Sequence, residues 1–337
     1  MTGNTRQRFA VLGAGSWGTA LAVQLARRGH QVALWARDGQ AIAAHEAARC
    51  NTRYLPDTPW PEMLTGQADM ATAVASADDV LVVVPSHALA DCLTQLSTHL
   101  VADQRVLWAT KGLEPETARL PHEVARDILG QDRPLGVLSG PSFSGEVGRG
   151  LPTAVTIASE DPVFADDMAA AFHDGMFRVY TAGDVIGVGV GGAVKNVLAI
   201  AVGISDGLGY GANARALLIT RGLSEMMRLG AALGGQRETL IGMAGLGDLL
   251  LTCTDDQSRN RRMGLALATG QSVEAAAAEI GQVVEGVRVA REVHRMALAH
   301  GIDMPIAAQA YAVLHEGVAA RDAVRRLTDR PYRAEAE

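Results

Sequence analysis

Three glycines near the start of the chain, Gly13, Gly15 and Gly18, restrict its fold more than any other feature. They form the pattern G-x-G-x-x-G between an apolar run at residues 9–12 and a helical stretch at residues 17–28. In such a setting the first glycine allows a sharp turn, the second lets a pyrophosphate approach the backbone, and the third lets the helix pack closely on the strand. The first amides of the helix then face the anion. The loop therefore predicts a dinucleotide-binding site, and the alternative is a plain glycine turn.

The residues after the second predicted strand (31–36) bear on which dinucleotide is bound. A site for NAD usually carries an acid here, which accepts hydrogen bonds from the ribose hydroxyls. This chain has Arg37 followed by Asp38. Because a guanidinium suits a 2′-phosphate, we expect NADP(H) or NAD(H) as the cofactor and hypothesise a preference for NADPH. The alternative is that Arg37 is a solvated loop charge and that Asp38 caps the next helix.

Apolar runs and helical stretches alternate through the first half of the chain, which predicts a parallel sheet with helices on both faces. After Asp184 the strand signal ends, and Ala, Leu and Val recur at helical spacing. We therefore expect an α/β protein with two domains, a Rossmann-type doubly wound parallel sheet at 1–184 and an all-α domain at 185–337. Further strands are predicted at residues 80–84, 105–109, 135–138, 153–158 and 177–180. Helices of the second half are predicted at residues 191–205, 212–233, 261–269, 273–279, 284–300, 305–316 and 319–327.

Charge and cysteine content exclude several classes of function. A formal net charge of −7 over 337 residues lacks the basic footprint of a nucleic-acid binder. The three cysteines are widely spaced, which favours reduced thiols in a cytoplasmic protein over a disulfide frame or a metal site. Residues 1–8 are polar and lack the apolar core of a signal sequence. Residues 185–204 are apolar enough for a membrane span, but glycines and Lys195 interrupt them, so we expect a buried helix and no integral membrane segment.

Two predicted strands end in residues that suit a binding site. Lys111 follows the strand at 105–109, and the strand at 135–138 leads into Gly140, Ser142 and Ser144. The carboxyl ends of parallel strands form the functional edge of such sheets. Small residues there permit close approach and hydroxyls supply hydrogen bonds. The alternative is a pair of ordinary strand-to-helix turns with a surface lysine.

Lys195 stands in a strongly apolar helical stretch, residues 191–200. Burying an unpaired ammonium costs free energy or lowers its pKa. A lysine with a lowered pKa is suited to general acid and base catalysis near neutral pH. The alternative is a lysine whose head reaches water.

Two later segments complete the candidate site. Asp248 follows a glycine-rich turn, and Ser258, Arg259 and Asn260 open a predicted helix. Backbone amides, a hydroxyl, a side-chain amide and a guanidinium at one helix start can converge on a phosphate. The alternative is an N-capped helix with a solvated basic first turn, although arginines at a helix start oppose the helix dipole.

With these segments, the chain resembles the bacterial and eukaryotic NAD(P)-dependent glycerol-3-phosphate dehydrogenases, and the bacterial branch most. The resemblance runs from residue 9 to about residue 327. Its specificity comes from the number of motifs and their order along the chain. They are GAGSWGTALA at 13–22, NTRYLP at 51–56, ATKGLE at 109–114, LSGPSFSGEV at 138–147, GGAVKNVLAIAVGISDGLG at 191–209, AGLGDLLLTC at 244–253, SRNRRMG at 258–264 and VVEG at 283–286.

The resemblance implies reversible hydride transfer between dihydroxyacetone phosphate and sn-glycerol 3-phosphate, which feeds glycerophospholipid synthesis. By the same resemblance Lys195 is the proton donor and acceptor, Lys111 supports it, and Asp248 orients the substrate and that lysine. Cofactor contacts are implied for Gly13, Gly15, Ser16, Trp17, Gly18, Arg37, Tyr54, Lys111, Ser144, Arg259, Val283 and Glu285. Substrate contacts are implied for Lys111, Gly140, Ser142, Lys195, Asp248, Ser258, Arg259 and Asn260. A homodimer is a possible assembly, and no metal is implied.

The chain departs from the family pattern at two places. Gly189 stands where a glutamate is expected, which could loosen the helix before Lys195, and Met263 replaces a usual phenylalanine, a packing change that a thioether tolerates. Two rival interpretations remain open at this point. One is a β-hydroxyacid dehydrogenase with a helical second domain, whose substrate carries a carboxylate. The other is a non-catalytic NADP(H) sensor on a Rossmann scaffold.

Overall fold

Strands and helices alternate through the first half of the chain in the computed structural model, which describes residues 6–331. The strands are β1 Arg8–Leu12, β2 Gln31–Trp35, β3 Cys50–Asn51, β4 Leu55–Pro59, β5 Leu64–Gln67, β6 Asp79–Val82, β7 Arg105–Trp108, β8 Leu135–Ser139, β9 Thr153–Ser159 and β10 Phe177–Ala182. The helices between them are α1 Ser16–Arg27, α2 Gly39–Ala48, α3 Met70–Ala75, α4 Leu89–Ser97, α5 Pro121–Leu129, α6 Ser144–Arg149 and α7 Pro162–Phe172.

Eight of the strands form one sheet in the order β10-β9-β8-β7-β6-β1-β2-β5. Side chains of β1 alternate between its two faces: Phe9 and Val11 pack with α1 and α7, whereas Ala10 and Leu12 pack with α3, α4 and α5. Helices therefore cover both faces, as the sequence predicts. The predicted parallel sheet has one exception, because β8 and β9 run antiparallel. The sheet is otherwise parallel.

Three short strands lie outside the sequence predictions. β3 and β4 form a small antiparallel hairpin, and β5 is an edge strand of the main sheet. β4 carries two prolines and an aspartate, and β5 a glycine and a glutamine, so neither has the continuous apolar run that marks a buried strand.

Helices alone follow β10 in the described part of the second half, as predicted. They are α8 Val185–Gly207, α9 Gly211–Ala232, α10 Arg237–Leu240, α11 Asp248–Thr254, α12 Arg259–Ala268, α13 Val273–Ile280, α14 Glu285–Ala299, α15 Pro305–His315 and α16 Ala320–Thr328. The glycine-rich turn expected before Asp248 is a single π-helical turn, Met243–Gly247, which leads directly into α11. The predicted domain limits at residues 1 and 337 lie outside the described residues.

Helix α8 is the central element of the second half. Its first turn contributes Val185 and Val188 to a core beneath the sheet, and its later turns lie in the core of the helical half. Although α8 is long and apolar enough to span a membrane, 83% of its most apolar window is buried inside the protein. The helix is continuous through Gly189, so the loosening considered at that position is absent.

Close backbone contact fixes α8 against α12. A Cβ atom on Gly203 would lie 2.3 Å from the carbonyl oxygen of Arg261, a separation that only glycine permits. Met263, the other departure from the family pattern, is fully buried in the core of the helical half. Because α8 carries Lys195 and α12 begins at Arg259, this contact sets the distance between two parts of the candidate site.

Candidate active site

The glycine loop lies at the point in the sheet where chain connections diverge. β1 sits between β2 and β6, and crevices at such a switch point are where open α/β sheets bind ligands. Gly13 has a positive φ of 119°, and a Cβ atom there would meet the carbonyl oxygen of Val83 at 2.5 Å. Gly18 is held as tightly, since its Cβ would strike the carbonyl oxygen of Gly13. Both glycines are therefore required by the backbone path.

The start of α1 fits an anion. Gly15 is the N-cap and gives no side-chain hydrogen bond to the first amides of the helix, which consequently remain free for a ligand. A Cβ atom on Gly15 would meet no protein atom within 4 Å. This open, donor-lined loop fits the pyrophosphate of a nicotinamide dinucleotide. The Trp17 Nε1 group close by is buried and has no hydrogen-bond partner among residues 6–331.

Asn51 is a functional candidate that the sequence analysis missed. Its side-chain amide donates to the carbonyl oxygen of Ala14 (3.0 Å) and to Thr19 Oγ1 (2.8 Å), and its Oδ1 accepts from the amide of Tyr54 (3.1 Å). One fully buried amide thus ties the glycine loop to the predicted cofactor residue Tyr54. The motif at residues 51–56 contains Asn51, but the resemblance assigns a role in the site only to Tyr54.

Most of the predicted site residues meet in one cleft between the sheet and the helical half. Three do not line it: Arg37 is exposed beyond the end of β2, Asp248 lies behind the lysines, and Gly140 contributes a carbonyl oxygen to one of them. Asp38 caps α2, as one part of the alternative for Arg37 anticipated. The predicted residues that line the cleft are Gly13, Gly15, Ser16, Trp17, Gly18, Tyr54, Lys111, Ser142, Ser144, Lys195, Ser258, Arg259, Asn260, Val283 and Glu285.

Lys195 is buried, with 7% of its surface exposed, so the alternative of a head in water is wrong. Its Nζ donates to Asp248 Oδ1 (2.6 Å) and to Thr252 Oγ1 (2.9 Å). The Thr252 hydroxyl donates in turn to the carbonyl oxygen of Asp248 (2.6 Å), which leaves its lone pairs for the lysine. Two of the three N–H donors of the ammonium are therefore occupied, and one remains for the cleft.

Lys111 approaches the same aspartate from the sheet. Its Nζ donates to Asp248 Oδ2 (2.8 Å) and to the carbonyl oxygen of Gly140 (3.0 Å), and it lies 6.0 Å from the ring centre of Trp17. Ser142 also donates to the Gly140 carbonyl (2.9 Å). One carboxylate thus holds two ammonium groups, and each keeps one N–H donor that it does not use among residues 6–331.

Burial and neighbouring charges together determine the pKa values of Lys195 and Asp248. Burial lowers the pKa of Lys195 to about 8, with the positive charge of Lys111 acting in the same direction and Asp248 opposing both. Burial works to raise the pKa of Asp248, but the two lysines outweigh it, and that pKa lies below its ordinary value. The site therefore holds an ionised carboxylate beside a lysine that can gain and lose a proton near neutral pH.

The start of α12 lies across the cleft from the glycine loop. Ser258 is its N-cap, and the Asn260 amide donates to Asn196 Oδ1 (2.8 Å) and accepts from the amide of Gly286 (2.9 Å). These buried hydrogen bonds join the starts of α12 and α14 to the helix of Lys195. The alternative of an N-capped helix is confirmed by Ser258, but its solvated basic first turn is wrong for Arg261, which is buried and paired with Asp206.

A further hydrogen bond joins the sheet side of the cleft to the start of α14. Ser86, in the short turn after β6, donates to Glu285 Oε2 at the start of α14 (2.9 Å). The two residues are distant in sequence, and the resemblance pointed only to Glu285. Within residues 6–331 no cluster of three histidine, cysteine, aspartate or glutamate side chains is arranged to hold a metal.

An anion-binding loop at the switch point and a buried lysine that titrates near neutrality are what dinucleotide-dependent hydride and proton transfer requires. The fold and the cleft therefore define a nicotinamide-dinucleotide-dependent dehydrogenase. Residues 8–165 match the family described as NAD-dependent glycerol-3-phosphate dehydrogenase N-terminus, and residues 184–325 match its C-terminus. The chain belongs to this family of glycerol-3-phosphate dehydrogenases.

Individual relatives agree with the family match. A glycerol-3-phosphate dehydrogenase [NAD(P)+] of Citrobacter koseri is 55% identical over 328 residues, which cover 97% of each chain. The crystal structure of the glycerol-3-phosphate dehydrogenase from Coxiella burnetii is 48% identical, covers 96% of this chain and 99% of that one, and gives a TM-score of 0.93. The enzyme of Saccharomyces cerevisiae is 26% identical, with coverage of 96% and 100% and a TM-score of 0.84.

Proposed function

We propose that this protein catalyses the reversible, NAD(P)-dependent interconversion of dihydroxyacetone phosphate and sn-glycerol 3-phosphate, a step that feeds glycerophospholipid synthesis. One observation carries the proposal. Asp248 holds the ammonium groups of the buried Lys195 and the partly buried Lys111 side by side at a cleft that the glycine loop also lines. Two cations on one carboxylate leave a net positive charge, which suits an oxygen that becomes negative during reduction.

Lys195 is proposed as the general acid and base. The glycine loop would hold the pyrophosphate of a reduced dinucleotide, and this cofactor would be the source of the hydride for the carbonyl carbon of the substrate. The free N–H of Lys195 then donates a proton to the carbonyl oxygen, and the neutral amine keeps its hydrogen-bonding position beside Asp248. In the reverse direction the neutral amine accepts the hydroxyl proton. A pKa of about 8 allows both directions near neutral pH.

Lys111 is proposed to stabilise the developing negative charge and to contact the cofactor as well as the substrate. Its ammonium lies against Trp17 on the cofactor side and against the Gly140 carbonyl on the substrate side, which supports this double role. Ser142 is proposed to line the substrate at this point, and Gly140 is proposed to act there through its carbonyl oxygen, which accepts from Lys111. Asp248 touches both ammonium groups and is the residue that orients them.

The start of α12 is proposed as the phosphate site. Ser258, Arg259 and Asn260 line the cleft there, and the helix amides add positive potential. A phosphate bound at this end holds the carbonyl near Lys195, so its binding energy is used to position the reacting carbon. The cofactor side is proposed to consist of Gly13, Gly15, Ser16, Trp17, Gly18, Arg37, Tyr54, Ser144, Val283 and Glu285.

This arrangement supports a division into a dinucleotide-binding domain at 1–184 and a helical substrate domain at 185–337. β10 ends at Ala182 and α8 begins at Val185, so the change of architecture falls at the proposed boundary. The reactants lie between the two domains, where closure excludes water. A cytoplasmic location and a homodimer complete the proposal. Size-exclusion chromatography with light scattering measures the dimer.

The deciding experiment is a reduction assay with purified protein, dihydroxyacetone phosphate and either NADPH or NADH, followed by loss of the reduced cofactor. We expect turnover with dihydroxyacetone phosphate, and little with unphosphorylated dihydroxyacetone, which lacks the group that α12 binds. Activity with a short keto acid and none with dihydroxyacetone phosphate would identify a β-hydroxyacid dehydrogenase. Tight NADPH binding without turnover of any phosphorylated ketone would identify a sensor.

A further inference from the structure

Two exposed arginines from different halves of the protein act electrostatically on one imidazole. Arg37 stands two residues after β2, and His87 lies in the short turn that follows β6. Arg288 lies in α14, one helical turn after Glu285. Because β2 and β6 flank β1, the residues that follow them border the region beyond the glycine loop.

Contacts across the cleft bring these groups together. The hydrogen bond from Ser86 to Glu285 holds the start of α14 against the turn that contains His87. Partial burial lowers the pKa of His87, and the positive charges of Arg288 and Arg37 lower it further against the effect of Glu285. Both arginines therefore act on the same imidazole, although Arg37 belongs to the sheet domain and Arg288 to the helical half.

Neither arginine has a partner within the protein. Arg37 and Arg288 are exposed, and within residues 6–331 neither forms a hydrogen bond or an ion pair. Many other arginines are engaged: Arg105 binds Asp79 and Arg261 binds Asp206, for example. Two exposed guanidinium groups that both act on His87 add positive potential to this region, which a bound anion would neutralise. Guanidinium groups match phosphate in charge and geometry.

We propose that Arg288 joins Arg37 in binding the 2′-phosphate of NADP(H), so that the helical half supplies part of the cofactor specificity. The proposal rests on the proposed function for its ligand. It follows from the position of the cluster, since the adenosine ribose of a dinucleotide lies at the end of the second strand of this fold. One phosphate then contacts both halves of the protein. The preference for NADPH over NADH consequently depends on how the two halves are positioned relative to each other.

The test uses the full chain with Arg288→Ala and a matched control, Arg291→Ala. Arg291 is exposed on the same helix one turn further on, where it approaches His315. We expect Arg288→Ala to lower the NADPH-to-NADH ratio of kcat/KM about tenfold or more, as loss of a charge-assisted bond to phosphate predicts. The control keeps the wild-type ratio. Thermal unfolding checks that both exposed substitutions leave the fold intact.

A binding measurement separates this proposal from the reaction. Calorimetry with 2′,5′-ADP and 5′-AMP compares ligands that differ in the 2′-phosphate, and we expect Arg288→Ala to weaken only the preference for 2′,5′-ADP. An unchanged ratio of the two affinities, or an equal fall in kcat/KM with both cofactors, overturns the proposal. Failure of the wild-type protein to reduce dihydroxyacetone phosphate contradicts the proposed function instead, and the nucleotide measurement still decides the role of Arg288.

Discussion

The chemistry of the site depends on how the buried charges of Lys195 and Asp248 and the partly buried charge of Lys111 share one small volume. Desolvation alone would make the ammonium of Lys195 and the carboxylate of Asp248 unfavourable. Direct hydrogen bonds from both lysines to Asp248 keep that carboxylate ionised, while Lys195 is brought to a pKa of about 8. Lys111 therefore helps to set the pKa of Lys195, because its positive charge repels that of Lys195.

Removal of the Lys195 amine is expected to abolish proton transfer and leave the cofactor side intact. We expect Lys195→Ala to lower kcat for dihydroxyacetone phosphate reduction by about 10²–10⁴-fold, the usual contribution of a general acid. The Kd for NADPH, measured by fluorescence, should change little because the glycine loop is on the opposite wall of the cleft. Near-normal turnover in a correctly folded variant would remove Lys195 from the mechanism.

The pH dependence of reduction tests the pKa of Lys195. A general acid must be protonated, so kcat/KM for dihydroxyacetone phosphate should fall as the pH rises through about 8. Asp248 raises this pKa, and we expect Asp248→Asn to move the fall in activity to lower pH. The measurement is a pair of pH–rate profiles. A fall at the same pH in both proteins would show that another group titrates.

Sequence motifs predicted the residues of the site better than the contacts between them. Lys111, Lys195 and Asp248 were all proposed from their segments, but their joint hydrogen bonding depends on three elements that are distant in sequence. Thr252 and Asn51 were missed for the same reason. A hydroxyl or an amide in a helix or hairpin is common, and only the fold shows which group it serves.

At the scale of elements, glycine positions decide how closely helices approach. Gly203 of α8 contacts the backbone of α12, whereas a Cβ atom on Gly189 of the same helix would meet only Leu120 Cδ2, at an ordinary 3.4 Å. The two positions therefore form a natural pair: one glycine is required by packing, and the other costs helix stability without a packing reason.

Alanine substitutions at these two glycines should change stability in opposite directions. We expect Gly203→Ala to lower the free energy of unfolding by about 1–3 kcal/mol through overpacking against Arg261. We expect Gly189→Ala to raise it by about 0.5–1 kcal/mol, because alanine favours the helix. Urea denaturation measures both. Equal effects of the two changes would contradict the close contact between α8 and α12.

The sequence predicts strands with strong apolar runs and helices with regular spacing within a few residues. It does not predict the strands whose formation depends on pairing with a neighbouring strand. The run at 80–84 corresponds to β6, and the stretch at 284–300 corresponds to α14. β3 and β4 stabilise each other across a hairpin, and the antiparallel direction of β9 is a property of its pairing with β8. Neither property is encoded in a local hydrophobic pattern.

The whole molecule forms two walls, the sheet domain and the helical half, around one cleft, and several hydrogen bonds join the two walls. α8 connects the two walls, since its first turn packs beneath the sheet and its remainder lies in the core of the helical half. Ser86 and Glu285 join them at the cofactor side. Cofactor binding is therefore expected to respond to changes that touch neither the lysines nor the phosphate site.

Loss of the Ser86 hydroxyl should weaken the cofactor complex without selecting between cofactors. A hydrogen bond to a charged group contributes about 1.5–3 kcal/mol, so we expect Ser86→Ala to lower kcat/KM by about tenfold with NADPH and NADH alike. Arg288→Ala should instead change the NADPH-to-NADH ratio of kcat/KM. The two variants therefore distinguish a contact that positions the two walls from a contact that binds the 2′-phosphate. Ser97→Ala is the matched control, since that exposed hydroxyl bonds only within α4. An effect of Ser86→Ala on one cofactor alone would place Ser86 in the adenosine site and not in the contact between the walls.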